Sequence, residues 1–205
     1  LSGWDKVEPF FDPMCGSGTF LIEAAQMALD IAPGLGRSFG FEKLDTFSPT
    51  AWASVRDAAA ARAQPPRELP IYGSDIAGRE VARCKENLQA AKLPWVVRVE
   101  GADMLEREPP AERGVMVTNP PYGERIGEKQ ELAAFYPKLG DLLKQRYSGW
   151  RCLFITADTD FPKLIKLKAS RRTPLYNGAL ECRLYEYRMV EGSLRAPRAG
   201  VPSGE

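Results

Sequence analysis

Histidine is absent from all 205 residues. Its absence removes the Ser-His-Asp triad, the His-paired cysteine nucleophile and every His-containing zinc site, so any chemistry here works without an imidazole. Cysteine is scarce too. Cys15, Cys84, Cys152 and Cys182 stand apart with no C-x-x-C pair, which leaves no metal-ligand set and no disulfide framework to expect and fits a reducing cytoplasm. No uncharged apolar run reaches the roughly 18 residues that a membrane helix needs. The opening segment LSGWDKVEPF has neither the basic nor the apolar region of a secretory signal. Net charge is nearly missing as well, at +1, so the total argues neither for nor against a nucleic-acid partner. Its distribution is uneven. Residues 161–200 hold nine Lys or Arg against three Glu, while residues 1–160 sum to minus four.

What is present is enough apolar sequence, 44% of the residues, to bury one substantial core. Strand-like and helix-like segments alternate. EPFFD (8–12), IYGSDI (71–76), VVRVEGAD (96–103), GVMVTN (114–119) and WRCLFITAD (150–158) read as strands. Helical stretches follow at 18–31, 77–93, 131–147 and 161–167, and a further one at 48–64 opens with Ser48 as N-cap and Pro49 at the first helical position. Two last strands, 170–176 and 179–190, meet at Asn177-Gly178, a dipeptide suited to a tight hairpin. Strands separated by helices imply right-handed crossovers and a mainly parallel α/β sheet with an antiparallel strand from the closing hairpin. The expected division is one domain over 1–192 and a disordered tail or linker over 193–205. In such sheets ligands sit beyond the carboxyl ends of the strands.

Three strand ends carry candidate groups. The first is DPMCGSGT, Asp12 to Thr19, where Gly16 and Gly18 allow a tight turn and a close ligand approach. No Lys follows the glycines, so it is not a Walker loop, and Leu21 occupies the third glycine's place in the dinucleotide fingerprint. A compact ligand without phosphate but with positive charge fits, as S-adenosylmethionine does. The second is Asp75, placed to accept the ribose hydroxyls of a nucleoside. The third is Asp103, an acceptor for an exocyclic amine of adenine, with Met104 and Ile76 as apolar walls. Taken singly, each reads as an ordinary glycine-rich turn or a strand-end cap.

The segment TNPPYG, 118–123, leaves a strand through two prolines that have neither an N–H nor a free φ. Its carbonyls are therefore available to something other than the sheet. The Asn119 side-chain oxygen and the Pro120 carbonyl suit acceptors that pull the two hydrogens of a nucleobase amine out of plane and aim its lone pair at a methyl group. Pro121 stiffens the exit, Tyr122 is placed to stack on the base, and Gly123 permits the turn.

DPMCGSGT followed by TNPPYG resembles the motif pair of class I S-adenosylmethionine-dependent amino-methyltransferases. The wider pattern, LSGW, DPMCGSGTFLIEAA, IAPGLGR, NPPYGER and LYNGALECRLYEYRM, is similar over residues 1–190 to the bacterial THUMP-containing RNA methylases, whose catalytic domain methylates guanine N2 in 23S ribosomal RNA. The resemblance implies a Rossmann-like, seven-stranded sheet of order 3-2-1-4-5-7-6. It assigns Asp12, Cys15, Gly16, Ser17, Gly18, Thr19, Asp75, Asp103 and Asn119 to the cofactor, and Asn119, Pro120, Pro121 and Tyr122 to the target amine. It further implies a ribosomal RNA substrate, S-adenosylhomocysteine as product, and a preceding THUMP segment and cofactor-covering helix that this chain lacks, as in a domain excised from a longer protein. Two other readings stay open at this point. One keeps the chemistry on adenine N6 of DNA or a protein glutamine amide; the other is a cofactor-binding module that has lost catalysis.

Overall fold

The computed structural model describes residues 1–121 and 126–190, with backbone alone for 126–129. Tyr122 and the expected tail over 193–205 lie outside the described residues. Strands β1 (Phe10–Asp12), β2 (Ile71–Asp75), β3 (Arg98–Gly101), β4 (Gly114–Thr118), β5 (Trp150–Thr156), β6 (Arg171–Asn177) and β7 (Leu180–Arg188) form one sheet. Its order is β3-β2-β1-β4-β5-β7-β6, as the resemblance implies. Strands β1 to β5 run parallel; β7 lies antiparallel between β5 and β6.

Helix α1 (Thr19–Ala28) buries Leu21, Ala24, Ala25 and Ala28, the spacing of one helical stripe. With Val81, Cys84 and Leu88 of α3 (Gly78–Ala90) it covers one face of β1 and β2, on Phe10 and Ile71. The opposite face carries Phe11, Met116, Cys152 and Phe154 beneath α4 (Ile126–Arg146) and α5 (Phe161–Leu164). Phe161 is the hub there, edge-on to Tyr136 at 4.9 Å and tilted against Phe154 and Tyr185.

Leu21, the residue that spoils the dinucleotide fingerprint, is fully buried. The compensation sits in the strand beneath it, because a Cβ at Gly73 would come within 2.3 Å of Leu21 Cδ1. The glycine that lets helix and strand approach has moved from the loop to β2.

Several boundaries differ from expectation for local reasons. The hairpin turns on Gly178-Ala179, since Asn177 and Leu180 still pair. Gly178 alone has a positive φ, 62°, the type II′ arrangement with glycine first. Helix α5 stops before its expected end, where Lys166 takes a φ of 54°. Helix α4 begins five residues early, in a charged stretch without apolar periodicity. Ser48 does cap α2 (Pro49–Arg62), its Oγ accepting from Ala51 N at 3.3 Å. That helix buries none of its residues; Trp52 instead packs edge-on against Phe39 and Phe41 in a satellite cluster.

A glycine inside a helix is ordinarily worth replacing, since alanine stabilises by about 1 kcal/mol. At Gly140 of α4 the added methyl would lie 2.0 Å from the Ile165 carbonyl oxygen. Gly140→Ala therefore destabilises the fold, by about 1–3 kcal/mol as α4 and α5 are forced apart. Urea denaturation checks the sign; a more stable variant would show that the helices do not pack this closely.

Candidate active site

Parallel pairing of β1 with β4 brings Asp12 beside Thr118 at the carboxyl edge of the sheet. Thr118 Oγ1 donates to Asp12 Oδ1 at 2.7 Å, and the Met14 N–H donates to the same oxygen at 3.2 Å. Asp12 is 2% exposed. Burial pushes its carboxyl up to about 7 even though the two hydrogen bonds pull it down and nearby Asp75 raises it slightly. Thr118 was not singled out from the sequence. The available signal was a lone hydroxyl in an apolar strand directly before the proline pair.

The glycine loop is held from three sides. Cys15 N donates to Ser74 O at 2.9 Å, Gly16 N to Asp75 Oδ2 at 3.0 Å, and Asn87 Nδ2 of α3 to Ser17 O at 2.9 Å. Asp75 Oδ1 accepts from Ala77 N at 2.9 Å. The Asp75 carboxylate thus braces the loop while using two of its roughly four acceptor sites. The two glycines do different things. Gly16, at φ 49°, would point a Cβ into open space with nothing within 4 Å, so it borders the cleft. Gly18, at φ 86°, would drive a Cβ to 2.4 Å from Cys84 Sγ; it is buried, lines neither cavity and lets α1 pack on α3.

Two adjoining cavities lie over these strand ends. The larger, about 540 Å³, is lined by Asp75, Ile76, Asp103, Met104, Asn119 and Pro121, with Leu132 and Phe135 of α4 opposite. Ile76 is 73% exposed, an apolar side chain with no packing role that would explain it. Met104 borders the same space but is 3% exposed and belongs to the core beneath, near the Tyr147 hydroxyl. Asp103 Oδ1 accepts from Leu105 N at 2.8 Å, closing its turn. The smaller cavity, about 400 Å³, is bordered by Asp12, Cys15, Ser17, Thr19, Ile155 and the hairpin residues Leu175 to Asn177. Met14, Gly16 and Asn119 border both. The residues expected to surround one ligand therefore divide between two compartments, with Asn119 at the junction.

Leu132 and Phe135 were missed from the sequence because their helical spacing reads as core alone. So was Tyr136, which is fully buried and donates its hydroxyl to Pro121 O at 3.1 Å. That bond fixes the proline exit one residue beyond Pro120, which is buried and lines neither cavity. The Cys15 thiol is pushed well up by its hydrogen bond with Cys84 and then by burial, the opposite of an activated nucleophile.

The charge of the lining decides what fits. Asp12, Asp75, Asp103 and Glu131 border the two cavities, and among the described residues no Lys or Arg does. Such a lining disfavours a phosphate-bearing cofactor and suits a cationic nucleoside laid along Ile76 and Gly16. Among the described residues no group of three Cys, Asp or Glu could hold a metal ion, and no helix is long and apolar enough to cross a membrane.

Residues 1–186 match the UPF0020 family, described as the RMKL-like methyltransferase domain. Ribosomal RNA large subunit methyltransferase K/L of Shewanella baltica is 42% identical over 208 aligned residues, covering 99% of this chain, and that of Shewanella oneidensis is 43% identical over 209. The chain spans 29% of the length of these relatives. SMU.472, described as a putative methyltransferase and solved in complex with SAH, superposes with a TM-score of 0.84 at 34% identity, over 94% of this chain and 51% of its own. A protein of Clostridium difficile described as a possible methylase gives 0.85 at 33%, over 95% and 52%.

Between the ordinary 3.8 of the unfolded chain and about 7 in the fold, Asp12 keeps a proton that unfolding releases. The native state binds more protons in that window, so stability falls as pH rises through it, by at most about 4 kcal/mol from this group. Asp12→Asn cannot titrate and keeps an acceptor for Thr118. Denaturation between pH 4 and 8 is expected to show the variant gaining on the wild type as pH rises; parallel profiles would contradict a protonated Asp12.

Proposed function

The chain belongs to the RMKL-like methyltransferase-domain family, UPF0020, and on that premise we propose that it moves a methyl group from S-adenosylmethionine to an exocyclic amine of a nucleobase, N2 of a guanine in 23S ribosomal RNA. The observation that carries this reading is the place of Asn119, where a nucleoside-sized, acid-lined cavity meets a second cavity open toward the hairpin. The relatives' names supply the RNA; the cavities supply the chemistry. With ribosomal RNA as substrate, the work is cytoplasmic.

The cofactor supplies a methyl group on a positively charged sulfur. In this reading Asp75 takes the ribose hydroxyls with its remaining acceptor sites, Asp103 takes the adenine amine, and Ile76 with Phe135 encloses the ring. Gly16 leaves room for the tail, and Asp12 faces its positive charge. Ser17 and Thr19 offer hydroxyls from the other compartment. A guanine N2 is a poor nucleophile because its lone pair is shared with the ring. Asn119, which borders both cavities, draws a hydrogen of the amine aside. Pro120, buried and outside both cavities, reaches the second hydrogen only if its carbonyl is exposed when substrate enters, and Tyr122 stacks on the base. Tyr136 holds the Pro121 carbonyl, so this exit is fixed before substrate arrives, and preorganised acceptors of that kind act mainly on the transition state. The methylated amine then sheds its proton to solvent.

Asn119→Ala is expected to slow single-turnover methylation by about 10²–10³ while leaving RNA affinity nearly unchanged. Asp75→Ala is expected to weaken SAH binding by about 1.5–3 kcal/mol in calorimetry. The direct test is mass spectrometry of nucleosides from large-subunit RNA after deletion of the gene encoding this chain. Loss of one N2-methylguanosine, restored by the wild-type gene and not by Asn119→Ala, supports the reading. Unchanged N2-methylguanosine, or loss of N6-methyladenine instead, refutes the guanine assignment.

A further inference from the structure

Strand β6 is the edge of the sheet and its hairpin with β7 projects past the smaller cavity. Edge strands are commonly shielded by charge and proline, and Arg171, Arg172 and Pro174 serve that purpose along its length. Shielding does not explain the tip. Tyr176 is 76% exposed and Leu180 46%, large apolar groups at the one end of the edge where protection would call for polar ones. Both Tyr176 and Asn177 line the cavity that also holds Asn119 and Asp12. An aromatic ring is thus presented to solvent at the rim of the space where the proposed reaction occurs.

The charge along the hairpin and α5 is mainly positive, with Glu181 opposite Tyr176 as an exposed acidic exception. Residues 161–190 contain seven Lys or Arg (Lys163, Lys166, Lys168, Arg171, Arg172, Arg183, Arg188) and two Glu (Glu181, Glu186), a surplus of five. Glu186 is 5% exposed and takes up Arg171 at 3.2 Å and Arg188 at 2.8 Å. Among the described residues Arg172, Arg183, Lys166 and Lys168 make no ion pair. Pairing of Pro174 with Arg183 and Tyr176 with Glu181 puts Arg172, Arg183, Glu181 and Tyr176 on one face of the hairpin, around the tip from Leu175 and Cys182, which line the smaller cavity from the other face. The Arg172 guanidinium lies 5.9 Å from the Tyr185 ring centroid, which holds it along that face. Helix α5 is on the same side, Phe161 packing on Tyr185 at 5.6 Å, and brings Lys163 and Lys166 with it. Among the described residues the cleft has no cation in its lining.

We propose that this face of the β6–β7 hairpin is a track for single-stranded RNA, with Tyr176 as the stacking platform for a nucleotide beside the target and Arg172 and Arg183 as phosphate contacts. The proposal rests on the RNA reading above and adds a surface to it. Stacking on an exposed ring tolerates any base, and unpaired guanidinium groups follow a backbone without reading it. The hairpin therefore captures strand, while the choice of base is left to the cavity.

The test uses fluorescein-labelled single-stranded RNA dodecamers and anisotropy at a series of KCl concentrations. Calorimetric titration with SAH is run on the same preparations. Arg172→Ala/Arg183→Ala is expected to lower the slope of log affinity against log salt by about 1.4, two phosphates at about 0.7 each for a single strand. Tyr176→Ala is expected to weaken binding about five- to a hundredfold with the salt slope unchanged, and Tyr176→Phe to match the wild type. SAH affinity should be the same in all four proteins. If the wild type binds SAH but not RNA, or if the variants bind RNA as it does, the hairpin track is wrong and the methyltransferase reading stands. If none binds SAH, that reading fails with it.

Discussion

The hydroxyl of Thr118 reaches across from the end of β4 to a carboxyl group at the end of β1 that is almost wholly buried. Two segments leave the sheet at that point, the glycine loop after Asp12 and the proline exit after Thr118. The bond ties their roots together, beside the separate hold that β2 and α3 have on the glycine loop. A buried carboxyl without partners would cost several kcal/mol. Here Thr118 and the Met14 N–H satisfy one oxygen, and burial raises the carboxyl to about 7, so that it is partly neutral in the empty site and a nearby positive charge would favour its ionised form. The two walls of the candidate site are thereby held in one register.

From that root the order spreads outward. Asp75 and Asn87, from β2 and α3, grip the loop backbone at Gly16 and Ser17, and Tyr136 from α4 grips the exit at Pro121. All three anchors belong to rigid elements. Such a cleft loses little conformational entropy when it takes a ligand, which is how preorganisation raises affinity without extra contacts. It also separates duties within one motif: Gly16 borders the cleft while Gly18 lets α1 settle on Cys84. A motif's glycines are not all there for the ligand.

The order of elements was legible because each signal was local: apolar runs for β1, β4 and β5, a helical stripe in α1, the Ser48-Pro49 cap of α2. Asp12, Asp75, Asp103 and Asn119 could be placed on strand ends, and parallel topology then forces strand ends together. What escaped depends on contacts distant in sequence. Thr118 and Asp12 are 106 residues apart, and Asn87 and Ser17 are 70; no periodicity marks such pairs. Leu132 and Phe135 obey a helical pattern that says they are apolar and not that they face a cavity. Gly73 could be read as a weak point in a strand, but its partner Leu21 lies on another element. The turn at Gly178-Ala179 slipped by one residue because Asn177 can either occupy a turn or end a strand, and cross-strand pairing with Leu180 chose the strand.

The central claim is that the acid-lined cleft takes an S-adenosyl nucleoside against Asp75 and Ile76, with Asn119 at its far end. A crystal structure of the chain grown with saturating SAH tests it most directly. The account predicts electron density for the nucleoside in that cleft, with the ribose hydroxyls on the Asp75 carboxylate and the adenine against Ile76. Density elsewhere on the chain, or SAH in the cleft with its ribose away from Asp75, would contradict it.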